Sequence, residues 1–142
     1  MGHDLNRFIE AQRRDYPSAL EEIRSGRKAG HWMWYIFPQL KGLGSSRFAE
    51  YYGIEDAKEA AAYLKDPYLG GNLREICAAL LCIEGSSASE VMGWPDDLKL
   101  NSCMTLFANV CEDNRIFLEV LEKYYGGRQD STTLRMLGRN AS

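Results

Sequence analysis

The sequence predicts an all-α fold, a compact single-domain bundle of several helices joined by short loops. Helix-capping signals and apolar residues with a period of three to four recur along nearly the whole chain. No segment alternates apolar and polar residues as a half-buried strand does, and the sequence contains no Asn-Gly or Asp-Gly hairpin signal. With 142 residues, 45% of them apolar, residues 1–142 fit one domain with its own core.

Two helices are predicted in the first quarter of the chain. Asp4 is expected to cap the first of them. Pro17 is expected to open a second, shorter helix that ends at Gly26, because proline favours the first turn of a helix and glycine its C-terminal end. Ser18 and Glu21 have the spacing of a capping box within this second helix.

Two further helices are predicted after a glycine-rich loop at residues 40–46. The alanine-rich stretch 54–66 favours a helix, and Pro67 both stops it and begins the next one. Gly70 and Gly71 weaken the first turn of that next helix and leave a later start open. Its apolar stripe consists of Leu69, Leu73, Ile76, Cys77 and Leu80.

The strongest helical pattern lies in the second half of the chain. Ser87 and Glu90 form a capping box for a short helix that ends at Gly93. Asp96 and Asp97 favour the N-terminus of the following helix, because carboxylates there complement the helix dipole. The apolar stripe of that helix is Leu100, Cys103, Met104, Phe107, Val110 and Cys111.

Two more helices are expected before the C-terminus. Asp113 is predicted to cap a helix that ends at Gly126. Asp130 is predicted to cap a last short helix, stopped by Gly138. Residues 139–142 are expected to form a loose tail.

Composition argues against several classes of protein. The net charge of −3, from 17 basic and 20 acidic residues, disfavours binding of nucleic acid through the overall field of the molecule. No apolar run approaches the roughly 20 residues that cross a membrane, and the N-terminus has no signal-peptide pattern, so we expect a cytoplasmic protein without membrane association. The sequence predicts no metal site and no cofactor, because no CxxC pair exists and the two histidines lack zinc-finger spacing. The cysteines are expected to be thiols in the core: Cys77, Cys82, Cys103 and Cys111.

The most unusual stretch is GRKAGHWMWYIFPQL, residues 26–40. A basic pair precedes a dense aromatic run, and one of the two histidines stands between them. Whether residues 30–37 form a helix or a strand is open from the pattern alone. In either case three of the large side chains are expected in the core: Trp32, Ile36 and Phe37.

Three motifs identify a family resemblance: GRKAGHWMWYIFPQLKGLG, DDLKLNSCMTLF and YYGGRQDSTTLRML. They resemble a bacterial family of small, mostly helical proteins of unknown function, and the similarity spans nearly the whole chain. Some members carry the label calpastatin-like, although the calpain inhibitors of that name are disordered and polar. This chain departs from the family at Cys103, where a second serine usually follows Ser102. The resemblance implies a helical fold and no particular activity.

A binding pocket is predicted between residues 27–39 and the helix face at residues 97–105. Aromatic rings there would stack a planar group and cations would hold an anionic one, as in a nucleotide-like small molecule. His31 and Asp97 are the catalytic candidates for an acid–base or hydrolytic step, since a neutral imidazole near cations can accept a proton. The ligand-binding candidates are Arg27, Lys28, Trp34, Tyr35, Gln39, Lys99, Ser102 and Thr105.

Two other interpretations of the same residues stay open. The aromatic stretch 31–37 would also suit a non-catalytic module that binds a protein or peptide partner. Arg27 and Lys28 follow a predicted helix end, where cations commonly interact with the last carbonyls and the helix dipole in a purely structural role.

Overall fold

The computed structural model describes residues 4–138, and within this range the fold is all-α, with helices joined by loops and no strand, as predicted. The helices are α1 Asn6–Arg24, α2 Met33–Ile36, α3 Arg47–Tyr52, α4 Ala57–Lys65, α5 Pro67–Cys82, α6 Ala88–Met92, α7 Asp96–Ala108, α8 Arg115–Tyr125 and α9 Ser131–Met136. One isolated parallel bridge joins Leu40 to Ile54. None of these helices combines the length and the apolar composition needed to cross a bilayer. The expected loose tail, residues 139–142, lies outside the described residues.

Helix α1 is one continuous helix where two were predicted, and it runs through Pro17. Pro17 is exposed, and so is Arg13, whose carbonyl loses its helical donor, so water can solvate that oxygen. The predicted break at Pro17 and the capping box at Ser18 were therefore wrong, because burial of a shared apolar face outweighs one missing hydrogen bond. The apolar residues of that face lie on both sides of the proline: Phe8, Ala11, Tyr16, Ala19, Leu20 and Ile23.

Two short helices follow α1 and were not assigned from the sequence. Helix α2 is a single turn, which resolves the open alternative over residues 30–37 in favour of a helix for four of them. Helix α3 buries none of its residues, so it carries no apolar stripe that a sequence pattern could reveal. Its start is nevertheless capped, since the Ser46 side chain accepts a hydrogen bond from the N–H of Ala49 at 3.1 Å.

The start of α5 shows why Gly70 is needed. The Asp66 carboxylate accepts the first N–H groups of the helix, which begins at Pro67 as predicted, and the later start that the glycines left open does not occur. A Cβ atom built on Gly70 would lie 2.1 Å from the carbonyl oxygen of Leu64 in α4, whereas one on Gly71 would meet nothing within 4 Å. Gly70 thus allows the close approach of two helices and does not mark a weak first turn.

The later capping predictions are mostly confirmed. The capping box at Ser87–Glu90 is present, and the Asp130 side chain caps α9. The predicted cap at Asp113 was wrong, because α8 begins one residue later, after Asn114. The side chain of Asn114 instead donates to the carbonyl of Ala108 at 2.7 Å and so ties the end of α7 to the start of α8.

One continuous core joins the helices. Helix α5 packs against α1, α4 and α8, and α7 packs against α4, α6, α8 and α9. The predicted stripe of α5 is buried, as are Trp32, Ile36 and Phe37. The α7 stripe is buried through Phe107, but Val110 and Cys111 lie beyond the end of that helix and are only half-buried.

The four cysteines are free thiols in different environments, so the prediction of four core thiols was wrong in part. Cys77 and Cys103 are fully buried, and burial raises the pKa of both thiols. Cys111 is half-buried, and burial raises its pKa as well. Cys82 is exposed because it lies at the C-terminal end of α5, on the side away from the core.

Candidate functional site

The loop between α1 and α2 is held by one carboxylate. Glu22 Oε1 accepts hydrogen bonds from the N–H groups of Ala29 at 2.7 Å and Gly30 at 2.8 Å, and from the indole Nε1 of Trp32 at 2.9 Å. Burial by itself would raise the pKa of Glu22, but these three donors and the charge of Lys28 lower it below its ordinary value. Glu22 therefore fixes the loop that precedes the aromatic run.

Lys28 is a buried structural cation. Its side chain is only 7% exposed, and its Nζ lies 2.9 Å from Oδ2 of Asp96 at the N-terminus of α7. Its backbone N–H also donates to the carbonyl of Val91 in α6 at 2.7 Å. Lys28 thus fastens the loop to two helices, and its ammonium is not available to a ligand.

A chain of alternating charges and rings connects the aromatic run to α7. The Nζ of Lys28 lies 4.9 Å from the ring centroid of Trp32 and pairs with Asp96. The other carboxylate oxygen of Asp96 lies 3.7 Å from the Nζ of Lys99, which in turn stands 5.7 Å from the ring centroid of Trp34. Because the ammonium of Lys28 already neutralises the carboxylate of Asp96, the positive charge of Lys99 is not cancelled and can interact with a ligand.

A groove of about 360 Å³ lies beside this chain and is the candidate site. Its volume is at the lower end of the range for small-molecule pockets, about 300–1,000 Å³. One wall is α7, and the others come from the loop after α2 and from the N-terminus of α9. The lining residues are Gln39, Leu43, Gly44, Pro95, Leu98, Lys99, Asn101, Ser102, Asp130 and Thr132.

A small apolar cavity adjoins the groove, since Gln39 and Lys99 line both. The space inside it is about 10 Å³, enough for roughly one water molecule. Its remaining walls are Met33, Trp34, Phe37, Ala49, Tyr52 and Gly53. The groove thus has a mixed polar and apolar lining, with an apolar end next to the aromatic run.

The structure brings four of the predicted site residues together around these cavities: Trp34, Gln39, Lys99 and Ser102. The Ser102 hydroxyl donates to the carbonyl of Leu98 at 3.3 Å and keeps its acceptor capacity. The side-chain amide of Gln39 has no hydrogen-bond partner among residues 4–138, so it is available to a ligand.

Two other binding candidates have structural contacts. Thr105 is fully buried, and its hydroxyl joins the side chain of Asn101 to the N–H of Asp130 at 2.9 Å each. The Tyr35 hydroxyl donates to the carboxylate of Asp15 on α1. Burial and this carboxylate raise the pKa of Tyr35 to about 12. Neither side chain lines the groove.

The remaining predicted residues lie outside the groove lining. Arg27 and His31 are exposed, and neither side chain forms a hydrogen bond or an ion pair within residues 4–138. Asp97 lies on another side of α7, where its Oδ1 is buried without a hydrogen-bond partner and its carbonyl accepts from Tyr125. The geometry therefore does not bring His31 or Asp97 to the groove.

Sequence reasoning missed the side of the groove formed near α9. Asp130 was assigned only as a cap, and Thr132 was not considered, yet both line the groove. The signal lay in Asn101 and Asn109, which stand four residues on either side of Thr105 on one face of α7. Their amides donate to Arg128 O and Gln129 Oε1 at 2.9 and 2.8 Å, so this polar stripe holds the loop before α9 against α7.

An aromatic patch lies beyond the apolar end of the groove. It consists of Trp34, Phe48, Tyr51 and Tyr52, with ring centroids 4.8 to 6.4 Å apart. Phe48 and Tyr51 are 52% and 58% exposed. Because α3 buries none of its own residues, these rings remain accessible on its outer side.

Comparisons with known proteins agree with the helical fold. A family described as protein of unknown function, DUF1810, matches residues 2–137. The crystal structure of the conserved hypothetical protein Rv1873 from Mycobacterium tuberculosis is similar, with a TM-score of 0.94 and 50% sequence identity over 96% of this chain and 98% of that one. A search of curated proteins finds no match.

Proposed function

The chain belongs to the DUF1810 family of proteins of unknown function, and we propose that it binds a small molecule with an anionic group in the groove between α7 and the segment after α2. The observation that carries the proposal is the position of Lys99. Lys99 lines both the groove and the adjoining apolar cavity, and its ammonium stands over the indole of Trp34. An anion at Lys99 would therefore place an attached planar or apolar group next to an aromatic wall.

Neutral polar groups supply the remaining recognition. The free amide of Gln39 can donate and accept hydrogen bonds, and the hydroxyl of Ser102 can accept one. Sites of this kind combine an apolar lining with a few placed polar groups that fix the orientation of a ligand. Because His31 and Asp97 do not line the groove, the proposal is confined to binding and assigns no reaction.

Thermal unfolding with nucleotides, sugar phosphates and aromatic carboxylates tests this function. A compound that binds the groove and is present at 100 times its dissociation constant stabilises the fold by about 2.7 kcal/mol. We expect Lys99→Met to abolish this stabilisation, because it keeps the aliphatic stem and removes the charge. Lys65→Met is the matched control, since Lys65 is exposed at the end of α4 and lines neither cavity.

Either of two results would contradict the proposal. One is that no anionic compound shifts the unfolding temperature of the parent. The other is that stabilisation survives Lys99→Met, which would place the ligand elsewhere.

A second candidate function rests on the aromatic patch. Its exposed rings, Phe48 and Tyr51, suit a non-catalytic module that binds a peptide or protein partner. The two functions can be separated by experiment. Tyr51→Ala would weaken partner binding without changing the response to small anions. Lys99→Met would abolish the response to small anions without changing partner binding.

A further inference from the structure

The groove carries opposite charges on two of its walls. Lys99 lies on α7 and Asp130 lies at the N-terminus of α9, and both residues line the same 360 Å³ space. A simple anion site would not include a carboxylate, because like charges repel strongly where water is partly excluded. A ligand that matches the groove therefore carries a negative group for Lys99 and a positive group for Asp130.

Only one of the two carboxylate oxygens of Asp130 accepts hydrogen bonds from the described part of the protein. Its Oδ2 accepts from the N–H and the hydroxyl of Thr133, at 3.0 and 2.6 Å. Its Oδ1 has no hydrogen-bond partner among the described residues, and no lysine or arginine in that range lies within ion-pairing distance of it. One oxygen is thus held in place while the other is free to accept from a ligand.

The charge of Lys99 is available for the complementary contact. Asp96, its neighbour at 3.7 Å, is already paired at 2.9 Å with the buried ammonium of Lys28. The three groups together carry one net positive charge, and that charge sits on the groove side. A polyphosphate would meet one cation and one carboxylate in the groove, which is a poor match.

We infer that the groove recognises a zwitterion of the amino-acid type, with its carboxylate on Lys99 and its ammonium on Asp130. The apolar part of the ligand lies toward the cavity at Trp34 and Phe37. This inference rests on the proposed function and narrows its ligand class from anions in general to molecules that carry both charges.

Calorimetric titration of the parent protein with matched compounds tests the inference. The zwitterions are L-phenylalanine and, with its charges further apart, glycyl-L-phenylalanine. N-acetyl-L-phenylalanine removes the positive charge, and phenethylamine removes the negative one. We expect at least one zwitterion to bind about tenfold more tightly than both single-charge analogues, because each analogue lacks one of the two ionic contacts with the groove.

Variants then assign the two ends of the ligand. Asp130→Asn removes the charge but keeps a helix-capping acceptor, so α9 is retained, which circular dichroism verifies. We expect this variant to lose the preference for the zwitterion over N-acetyl-L-phenylalanine, and Lys99→Met to weaken both. Asp113→Asn is the matched control, because the carboxylate of Asp113 is 88% exposed and Asp113 does not line the groove.

The outcomes distinguish this inference from the proposed function. If N-acetyl-L-phenylalanine binds as tightly as both zwitterions and depends on Lys99, the anion site stands and the zwitterion inference is overturned. If only nucleotides or sugar phosphates bind, and Lys99→Met abolishes that binding, the anion site again stands and the zwitterion inference is overturned. If no compound of either set binds the parent, both are overturned. The comparison of ligands on the parent does not depend on any variant being folded.

Discussion

The ammonium of Lys28 and the carboxylate of Asp96 lie 2.9 Å apart, which joins the loop after α1 to the N-terminus of α7. The side chains are 7% and 20% exposed, so the pair is largely removed from water. Asp96 in turn lies next to Lys99, the cation of the groove. The carboxylate of Asp96 therefore anchors the loop through Lys28 and also contacts Lys99 at the candidate site.

Removal of one partner of this pair is expected to be costly. Lys28→Met should lower the free energy of unfolding by about 3 kcal/mol, because it leaves the carboxylate of Asp96 without its buried partner. The double variant with Asp96→Asn should lose less than the sum of the single changes, since it leaves no unpaired charge. Urea denaturation measures both. Lys41→Met is the control: Lys41 is exposed and 3.9 Å from Glu55, so its loss should cost under about 1 kcal/mol. Additive effects of Lys28→Met and Asp96→Asn would contradict a coupled pair.

Acid should lower the stability of the protein by protonating Glu22, the carboxylate that holds the loop between α1 and α2. Its pKa is lower in the folded state than the ordinary value of about 4.3, so the unfolded chain binds the proton more tightly. The stabilisation is complete above that ordinary value and is lost as the pH falls through the lowered folded value. We expect the unfolding free energy of the parent to fall more steeply below about pH 5 than that of Glu22→Gln. Glu21→Gln, at an exposed neighbouring position, should keep the slope of the parent, and equal slopes for all three proteins would rule out this role.

Adjacent glycines in α5 should respond to alanine in opposite directions. Gly70→Ala places a methyl group against the carbonyl of Leu64 and should destabilise the fold by about 1–3 kcal/mol. Gly71→Ala meets no neighbour and should stabilise the helix by about 0.5–1 kcal/mol, because alanine loses less backbone entropy. Thermal unfolding of the two variants decides the matter. A stable Gly70→Ala variant would mean that α4 and α5 are not in close contact at this point.

Thiol reactivity should distinguish the cysteines. Cys82 is exposed, whereas Cys77 and Cys103 are buried with a raised pKa, which suppresses the reactive thiolate. A chromogenic disulfide reagent should therefore modify one thiol quickly in the folded protein, and all four only after denaturation. Cys82→Ser should remove the fast phase. Rapid modification of Cys103 in the folded state would contradict its position in the core.

The candidate site was only partly visible in the sequence. Trp34, Gln39 and Lys99 could be selected because aromatic, amide and cationic side chains cluster in two segments. The buried role of Lys28 could not be foreseen, since it depends on a carboxylate that is distant in sequence and adjacent only after folding. Asp130 was recognised as a cap from its local spacing, but its position in the groove depends on how the preceding loop is tied to α7.

By itself, the sequence determined the helical class, most helix ends and the core faces of α5 and α7, because capping, glycine and proline preferences and apolar periodicity are properties of neighbouring residues. Only the tertiary structure decided that α1 continues through Pro17, since burial of a shared face against α5 outweighs a local preference. It alone also decided which polar side chains meet at the groove. The physical reason is that contacts between distant segments depend on the packing of whole helices, and no local pattern of residues encodes the distance between Lys99 and Trp34 or the common groove of Lys99 and Asp130.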